Sequence, residues 1–206
     1  MSPEAVAGAL LEAVRQRGLE VLPWTPALRN LQARILFLRR ILGEGWPDVS
    51  DAGLLKDLDA WLSPWMQGMS RFSHLERLPL DEALLARLDH QQRRVLQEQA
   101  PAQLKVPSGS EIKVDYTEGE TPVLRVRLQE MFGQADTPRL AQGRVPVMLH
   151  LLSPAQRPVQ VTQDLKGFWQ RTWPEVKKEL KGRYPKHAWP DDPTTAPATR
   201  GARRRR

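Results

Sequence analysis

The chain has 206 residues, enough for one large domain or two small ones, and its apolar content of 40% is sufficient for a hydrophobic core. It has no cysteine, which excludes disulfides, thiolate catalysis and cysteine-based zinc sites. The net charge of +7 is unevenly placed: residues 1–165 hold 19 Lys and Arg against 20 Asp and Glu, whereas residues 166–206 hold 12 against 4. Such a concentration favours a polyanionic partner such as nucleic acid, although a basic tail can also simply keep a protein soluble.

The beginning of the sequence predicts no targeting segment. It has no basic stretch before its first apolar residues and carries Glu4 and Glu12, unlike a secretory signal peptide. No apolar run approaches the ~20 residues that cross a bilayer. We therefore expect a cytoplasmic protein with no membrane partner.

The first half of the sequence has the periodicity of helices. In TPALRNLQARILFLRRIL, Thr25 is a predicted N-cap and Pro26 occupies the first helical position. Apolar residues then recur at three- and four-residue steps and form one face: Leu28, Leu31, Ile35, Leu38 and Leu42. The arginines lie largely off that face: Arg29, Arg34, Arg39 and Arg40. The stretches DAGLLKDLDAWL and LDEALLARLDHQQRRVLQEQ repeat the pattern, which is typical of a helical core.

After Pro101 the period changes from helical to alternating. EIKVDY and VLRVRL each place apolar residues on one face and charged residues on the other, and the turn TEGETP between them predicts a hairpin. VPVMLHLL and RPVQVTQ are two further predicted strands, joined by the turn SPAQRP. A small antiparallel sheet with one buried face is expected.

Helical periodicity returns in the basic end of the chain. Asp164 is a predicted cap of a short helix. Thr172 and Glu175 have the spacing of a capping box for a second helix, which Gly182 would end. Beyond it, the prolines of GRYPKHAWP exclude regular helix and predict an extended strap over residues 183–190.

These patterns together predict an α+β fold with three regions. Residues 1–100 form a helical N-terminal half, and residues 101–193 contain the small antiparallel β unit followed by the C-terminal basic helix with its strap. Residues 194–206 have no apolar residue larger than alanine and are predicted to be a disordered basic tail.

The candidate nucleic-acid-binding residues are cations and one aromatic ring. Cations neutralise phosphates, and rings can stack on bases. Six candidates lie in the basic helix and strap and two in the hairpin strand VLRVRL: Lys177, Lys178, Lys181, Arg183, Tyr184, Lys186, Arg125 and Arg127. A structural explanation stays open for several of them, because lysines in the last turn of a helix are also favoured by the helix dipole. Trp189, with Tyr184, is predicted to anchor the strap against the domain.

No catalytic or metal site is predicted. The sequence has no GxxxxGK[ST] phosphate loop, and its histidines have no metal-ligand spacing: His74, His90, His150 and His187. We therefore expect no catalytic residue, no metal, no cofactor and no ATP turnover in this chain. An enzyme whose catalytic residues are distant in sequence stays open as an alternative.

The second half of the chain resembles a known family. VPSGSEIKVDY, VRLQEMFG, GRVPVMLHLLSPAQRPVQVTQDL and GRYPKHAWPDDP are similar to the C-terminal region of the HrpB family of bacterial DEAH-box, ATP-dependent RNA helicases. WTPALRNLQARILFLR, upstream, is similar to that family as well. Members carry their ATPase in two RecA-like domains, whose Walker A and DEAH stretches this sequence lacks. The resemblance implies an accessory region of an ATP-dependent helicase, with no catalytic residue to carry over.

The resemblance and the charge distribution together predict the function. We expect an accessory region that contacts RNA or another single-stranded nucleic acid, or that buttresses the helicase core domains in cis or in trans. The alternative is a purely structural or protein-interaction module that packs on a helicase core.

Overall fold

Residues 3–202 are described in the computed structural model of the protein, and their contacts separate two units, Met1–Ala100 and Pro101–Arg206. The described part of the first unit is helical, with short 3-10 turns at Leu19–Val21, Ser63–Trp65 and Phe72–Arg77. Its α-helices are α1 (Pro3–Arg17), α2 (Pro26–Leu42), α3 (Asp51–Lys56), α4 (Leu58–Leu62), α5 (Leu80–Leu85) and α6 (His90–Gln99). None of the helices in residues 3–202 is both long and apolar enough to cross a membrane.

Helix α2 confirms the predicted cap but only part of the predicted apolar stripe, since Leu28, Leu31 and Leu42 are half-buried and Arg34 is buried. The Thr25 Oγ1 accepts a hydrogen bond of 3.2 Å from the Leu28 N–H, and Pro26 takes the first position, where an N–H would have no partner. Ile35 and Leu38 are fully buried. The helix ends at Gly43, whose φ of 101° suits a residue without a side chain.

The second helical stripe, DAGLLKDLDAWL, folds as two helices. The backbone at Asp57 leaves helical geometry, with φ −99° and ψ 22°, and separates α3 from α4. Aspartate competes for backbone hydrogen bonds and is a weak helix former, which explains a break at this position. The apolar face is kept across the break, since Leu54, Leu58 and Trp61 are all buried.

The strands of the second unit are β1 (Gln103–Lys105), β2 (Glu111–Asp115), β3 (Val123–Arg127), β4 (Arg139–Leu140), β5 (Val145–Pro146), β6 (Met148–Leu152) and β7 (Pro158–Thr162). They form a five-stranded sheet in the order β1-β2-β3-β6-β7 and a separate two-stranded ladder, β4-β5. The predicted hairpin is confirmed as β2 with β3, and the two further predicted strands pair in antiparallel fashion as β6 and β7. The apolar side of the sheet is buried, including Val114, Leu124 and Leu149.

The prediction of a purely antiparallel sheet is wrong at its centre, because β3 and β6 pair in parallel. A parallel pair requires a crossover connection between its strands. Residues 128–147 supply it through the 3-10 turn Leu128–Glu130 and the β4-β5 ladder, so β6 returns beside β3 in the same direction.

The chain after the sheet is helical from Leu165 to Arg183. It comprises α7 (Leu165–Gly167), a π-helical turn (Phe168–Thr172) and α8 (Trp173–Arg183). The predicted cap at Asp164 is confirmed, since its Oδ1 accepts from the Gly167 N–H at 2.8 Å. The predicted capping box at Thr172 is wrong: Thr172 has helical φ and ψ and caps nothing, because the π turn carries the helix through this point.

Four aromatic rings form the core beneath this helix. The ring of Trp173 is 1% exposed and lies 5.5 Å from those of Phe132 and Trp169, both edge-to-face. Trp169 lies 5.1 Å from Phe168. The helix is therefore fixed to the sheet unit by burial of large rings, a dominant source of core stability.

The predicted disordered tail is wrong over residues 194–200, which contact the sheet unit. The Thr199 N–H donates to the Gln129 carbonyl at 2.9 Å, and the Arg200 Nε donates to the Ser108 carbonyl at 3.2 Å. These bonds satisfy carbonyls in two irregular segments, the 3-10 turn after β3 and the turn between β1 and β2, which is why a segment without large apolar side chains is held against the sheet unit. Arg203–Arg206 of the predicted tail lie outside the described residues.

Candidate nucleic-acid interface

The lysines that the sequence predicts as phosphate contacts divide into two kinds. Lys178 and Lys181 are exposed on α8, and Lys186 is exposed on the strap. Among the residues that the structure describes, these three form no ion pair. Lys177 differs, because its ammonium binds the Asp191 carboxylate and its side chain is only 22% exposed. This contact holds the pKa of Asp191 below its ordinary value, so Lys177 ties the chain after the strap to α8.

The two predicted arginines of the sheet are paired with carboxylates. Arg125 contacts Asp115 at 3.4 Å and Glu118 at 2.5 Å. The Arg127 Nε donates at 3.1 Å to Glu130, a buried carboxylate whose other oxygen accepts from two serine hydroxyls. Both arginines are therefore committed to local ion pairs, which sequence periodicity along a strand cannot reveal.

Arg127 also lies near the strap. Burial of the His187 ring, and then the positive charge of Arg127, hold the pKa of His187 below its ordinary value. The Nδ1 of His187 is buried and makes no hydrogen bond among the described residues. This histidine is therefore a neutral packing residue of the strap and adds no positive charge to the candidate interface.

Arg183 and Tyr184 end helix α8. Arg183 forms an exposed ion pair with Glu179 at 3.3 Å, one helical turn earlier. Tyr184 is half-buried; its N–H donates to the Leu180 carbonyl at 2.7 Å, and its hydroxyl lies 3.5 Å from the Ser153 Oγ. The Tyr184 ring therefore packs within the unit and is not a free platform for base stacking.

The strap begins with a turn and is then held by tryptophan. The His187 N–H bonds the Tyr184 carbonyl at 3.1 Å, so the predicted extended geometry does not hold at its start. The predicted anchoring by Trp189 is confirmed: its ring lies 6.1 Å from that of Trp173, and its Nε1 donates to the Tyr184 carbonyl at 2.8 Å. Trp173 Nε1 in turn donates to the Pro190 carbonyl at 3.1 Å.

We expect the substitution Trp189→Ala to lower the free energy of unfolding by about 2 kcal/mol, less than the 3–5 kcal/mol typical of a fully buried tryptophan, because this ring is half-buried. Urea unfolding followed by circular dichroism would measure the change, with Trp189→Phe as the control that keeps a ring against Trp173. Unchanged stability together with lost RNA binding would contradict the anchoring role.

Sequence reasoning did not single out Arg157, which the structure brings close to α8. The turn between β6 and β7 places it at the edge of a cavity of about 160 Å³, whose polar lining also includes Ser153, Glu179, Arg183 and Tyr184. A lone arginine in a hairpin turn has no recognisable motif, so only the packing of the turn against α8 identifies it.

Within residues 3–202, no cluster of three His, Asp or Glu side chains is placed to hold a metal ion.

The helical unit and the sheet unit, with its basic helix and tryptophan-anchored strap, give the chain an α+β fold. The family described as ATP-dependent helicase C-terminal, HrpB_C, matches residues 61–193, and the chain belongs to this family of HrpB-type helicases. The resemblance predicted from the sequence is confirmed.

Similar proteins agree with this assignment over nearly the whole chain. The chain is 48% identical over 193 residues to the ATP-dependent RNA helicase HrpB of Escherichia coli (strain K12), covering 93% of this chain and 24% of that protein. It also matches the crystal structure of the E. coli DExH-box NTPase HrpB, with a TM-score of 0.93, 45% identity and coverage of 97% and 25% of the two chains. A second crystal structure, of the Escherichia coli DEAH/RHA helicase HrpB, gives a TM-score of 0.79, 43% identity and coverage of 92% and 24%. The chain thus spans about a quarter of the length of these relatives and is an accessory C-terminal region of the HrpB type.

Proposed function

We propose that this region contacts single-stranded RNA through the phosphate backbone as part of an ATP-dependent helicase. The observation that supports this role best is a group of exposed lysines on α8 and the strap, Lys178, Lys181 and Lys186, which form no close ion pair among the described residues. The charge of Lys181 does act on Asp191, whose pKa it helps to lower. The name of the E. coli relative, an ATP-dependent RNA helicase, supports RNA as the polyanion. Arg203–Arg206 would add charge to the same contact.

The charges around these lysines favour a weak contact that is sensitive to salt. Lys178 and Lys181 are three residues apart and lie on one side of the helix, so their ammonium groups can reach neighbouring phosphates. Glu175 and Glu179 lie on the same helix and reduce the local potential. Each phosphate contact to a single strand contributes about 0.7 to the slope of log affinity against log salt concentration.

Replacing the three lysines by glutamine is expected to weaken RNA binding and to make that slope shallower by up to about 2, because three phosphate contacts are lost. The measurement is fluorescence anisotropy of a labelled single-stranded RNA at several salt concentrations. A matched control replaces Lys105, Lys113 and Lys166, which are also exposed but lie outside α8 and the strap. We call Lys178, Lys181 and Lys186 the lysine surface. An equal loss of RNA affinity in both triple variants would contradict a specific role for this surface.

A second role is packing against helicase core domains, which a specific feature of the sheet favours. Val161 on β7 is 53% exposed and pairs with His150 on the solvent face of the sheet, where Met148 and Leu152 are half-buried. An apolar group of this kind suits contact with another domain. A chain without measurable RNA affinity at low or high salt would favour this role over the first. The cytoplasmic location and the absence of a cofactor stay predictions.

A further inference from the structure

The cavity between the β6-β7 turn and the end of α8 has a polar lining that includes two cations and one carboxylate, Glu179. Arg157 and Arg183 stand at its edge with the hydroxyls of Ser153 and Tyr184, and Leu180 contributes to its apolar side. Its volume of about 160 Å³ lies well below the roughly 300–1,000 Å³ of pockets that hold small molecules or cofactors. The cavity is thus too small for a nucleotide and suits a single compact anionic group.

The hydroxyl side of this cavity is held in place by the surrounding fold. Ser153 is 2% exposed, and its backbone N–H donates to the Arg157 carbonyl at 2.8 Å. Its Oγ accepts from the Arg157 N–H at 3.2 Å, which closes the turn. The Oγ also lies 3.5 Å from the Tyr184 hydroxyl, a long contact that leaves a hydroxyl proton free to turn toward a stronger acceptor.

The guanidinium groups of Arg157 and Arg183 are both available to bind an anion. Arg157 is exposed and forms no ion pair with any residue in 3–202. Arg183 is paired with Glu179, but both side chains are more than 60% exposed, and such pairs contribute little to stability. A phosphate accepts two parallel bonds from a guanidinium, so it can replace the Glu179 carboxylate at Arg183.

We propose that this cavity binds one phosphate of a single-stranded RNA backbone, held by Arg157 and Arg183 and by the hydroxyls of Ser153 and Tyr184. The inference rests on the RNA contact proposed above. Lys186 follows Arg183 by three residues on the exposed side of the strap, so an RNA strand that enters here continues onto the lysine surface. Glu179 competes with the phosphate for Arg183 and limits the affinity.

The test compares RNA binding by the complete chain and by substituted forms. Replacing Arg157 and Arg183 together by glutamine is expected to weaken binding of a labelled single-stranded RNA about tenfold and to make the salt slope shallower by about 0.7, the value for one phosphate. The matched control replaces Arg139 and Arg171, which are also exposed; Arg171 has an equivalent exposed ion pair, with Asp164 at 2.9 Å. We expect the control to change affinity less than twofold, and Glu179→Gln to tighten binding about threefold. Thermal melting checks that each variant is folded.

The outcomes separate this site from the proposed function. If the wild-type chain binds RNA but the Arg157 and Arg183 variant behaves like the control, the cavity is not a phosphate site, while the lysine surface stands. If the wild-type chain binds no RNA at low salt, the proposed function fails. Titration of inorganic phosphate, followed by NMR shifts of the Ser153 and Tyr184 amides, tests the source of the anion. Shifts with inorganic phosphate but none with RNA would overturn the assignment to RNA.

Discussion

The substitution Trp173→Ala is expected to lower the free energy of unfolding by about 3–5 kcal/mol, the range for truncating a buried tryptophan. Trp173 is 1% exposed and contacts rings on three sides, those of Phe132, Trp169 and Trp189. Its indole N–H also donates to the Pro190 carbonyl at 3.1 Å. Alanine would leave a cavity among these rings and release the chain that follows the strap.

Urea unfolding followed by circular dichroism would measure this loss, since the substitution removes a fluorophore. Trp173→Phe serves as the control, because it keeps a ring in the cluster and removes the indole N–H; we expect it to cost about 1–2 kcal/mol. A loss for alanine no greater than that for phenylalanine would show that the ring cluster does not hold α8 to the sheet unit.

The substitution Arg34→Met is expected to destabilise the first unit by about 2–3 kcal/mol, the upper range for a hydrogen bond to a charged group. Arg34 is only 6% exposed, and its Nε donates at 2.6 Å to the carbonyl of Ala100, which follows the last residue of α6. A second guanidinium nitrogen lies 3.5 Å from the Leu96 carbonyl. The cation thus satisfies carbonyls at the negative end of the helix dipole, and methionine of similar length cannot.

Arg94→Met is the matched control on α6 itself. The Arg94 side chain is 74% exposed, and its ion pair with Glu98 is the common i,i+4 kind, so we expect a change below about 0.5 kcal/mol. If Arg34→Met and Arg94→Met lowered the melting temperature by equal amounts, the capping role of Arg34 would be ruled out.

The features predicted correctly from the sequence depend on neighbours close in the chain. Thr25 caps α2 through a residue three positions away, and Asp164 caps α7 in the same manner. The β2-β3 hairpin follows from alternation around one turn. The anchoring of Trp189 also involves its close neighbour Tyr184. For such features the residue types and their spacing are sufficient, because the interacting groups are brought together by local backbone geometry.

The candidate interface was predictable as a region but not as a set of residues. The charge count identifies the last fifth of the chain, yet Lys177 in this region is paired with Asp191, a carboxylate that becomes its neighbour only in the folded chain. The charge count cannot separate Lys177 from Lys178 and Lys181, which stay exposed. Arg157 joins Arg183 only because a hairpin turn packs against a helix.

By itself the sequence determined the α+β class, the positions of the main helices and hairpins, the family and the basic end of the chain. Tertiary structure decided the parallel pairing of β3 with β6, the burial of Arg34 and the contact of residues 194–200 with the sheet unit. Each of the latter joins groups that are distant in the chain; Arg34 and Ala100, for example, are 66 residues apart. Local propensity has no information on such pairs, because they depend on which backbone groups and apolar faces remain unsatisfied after the local elements have formed.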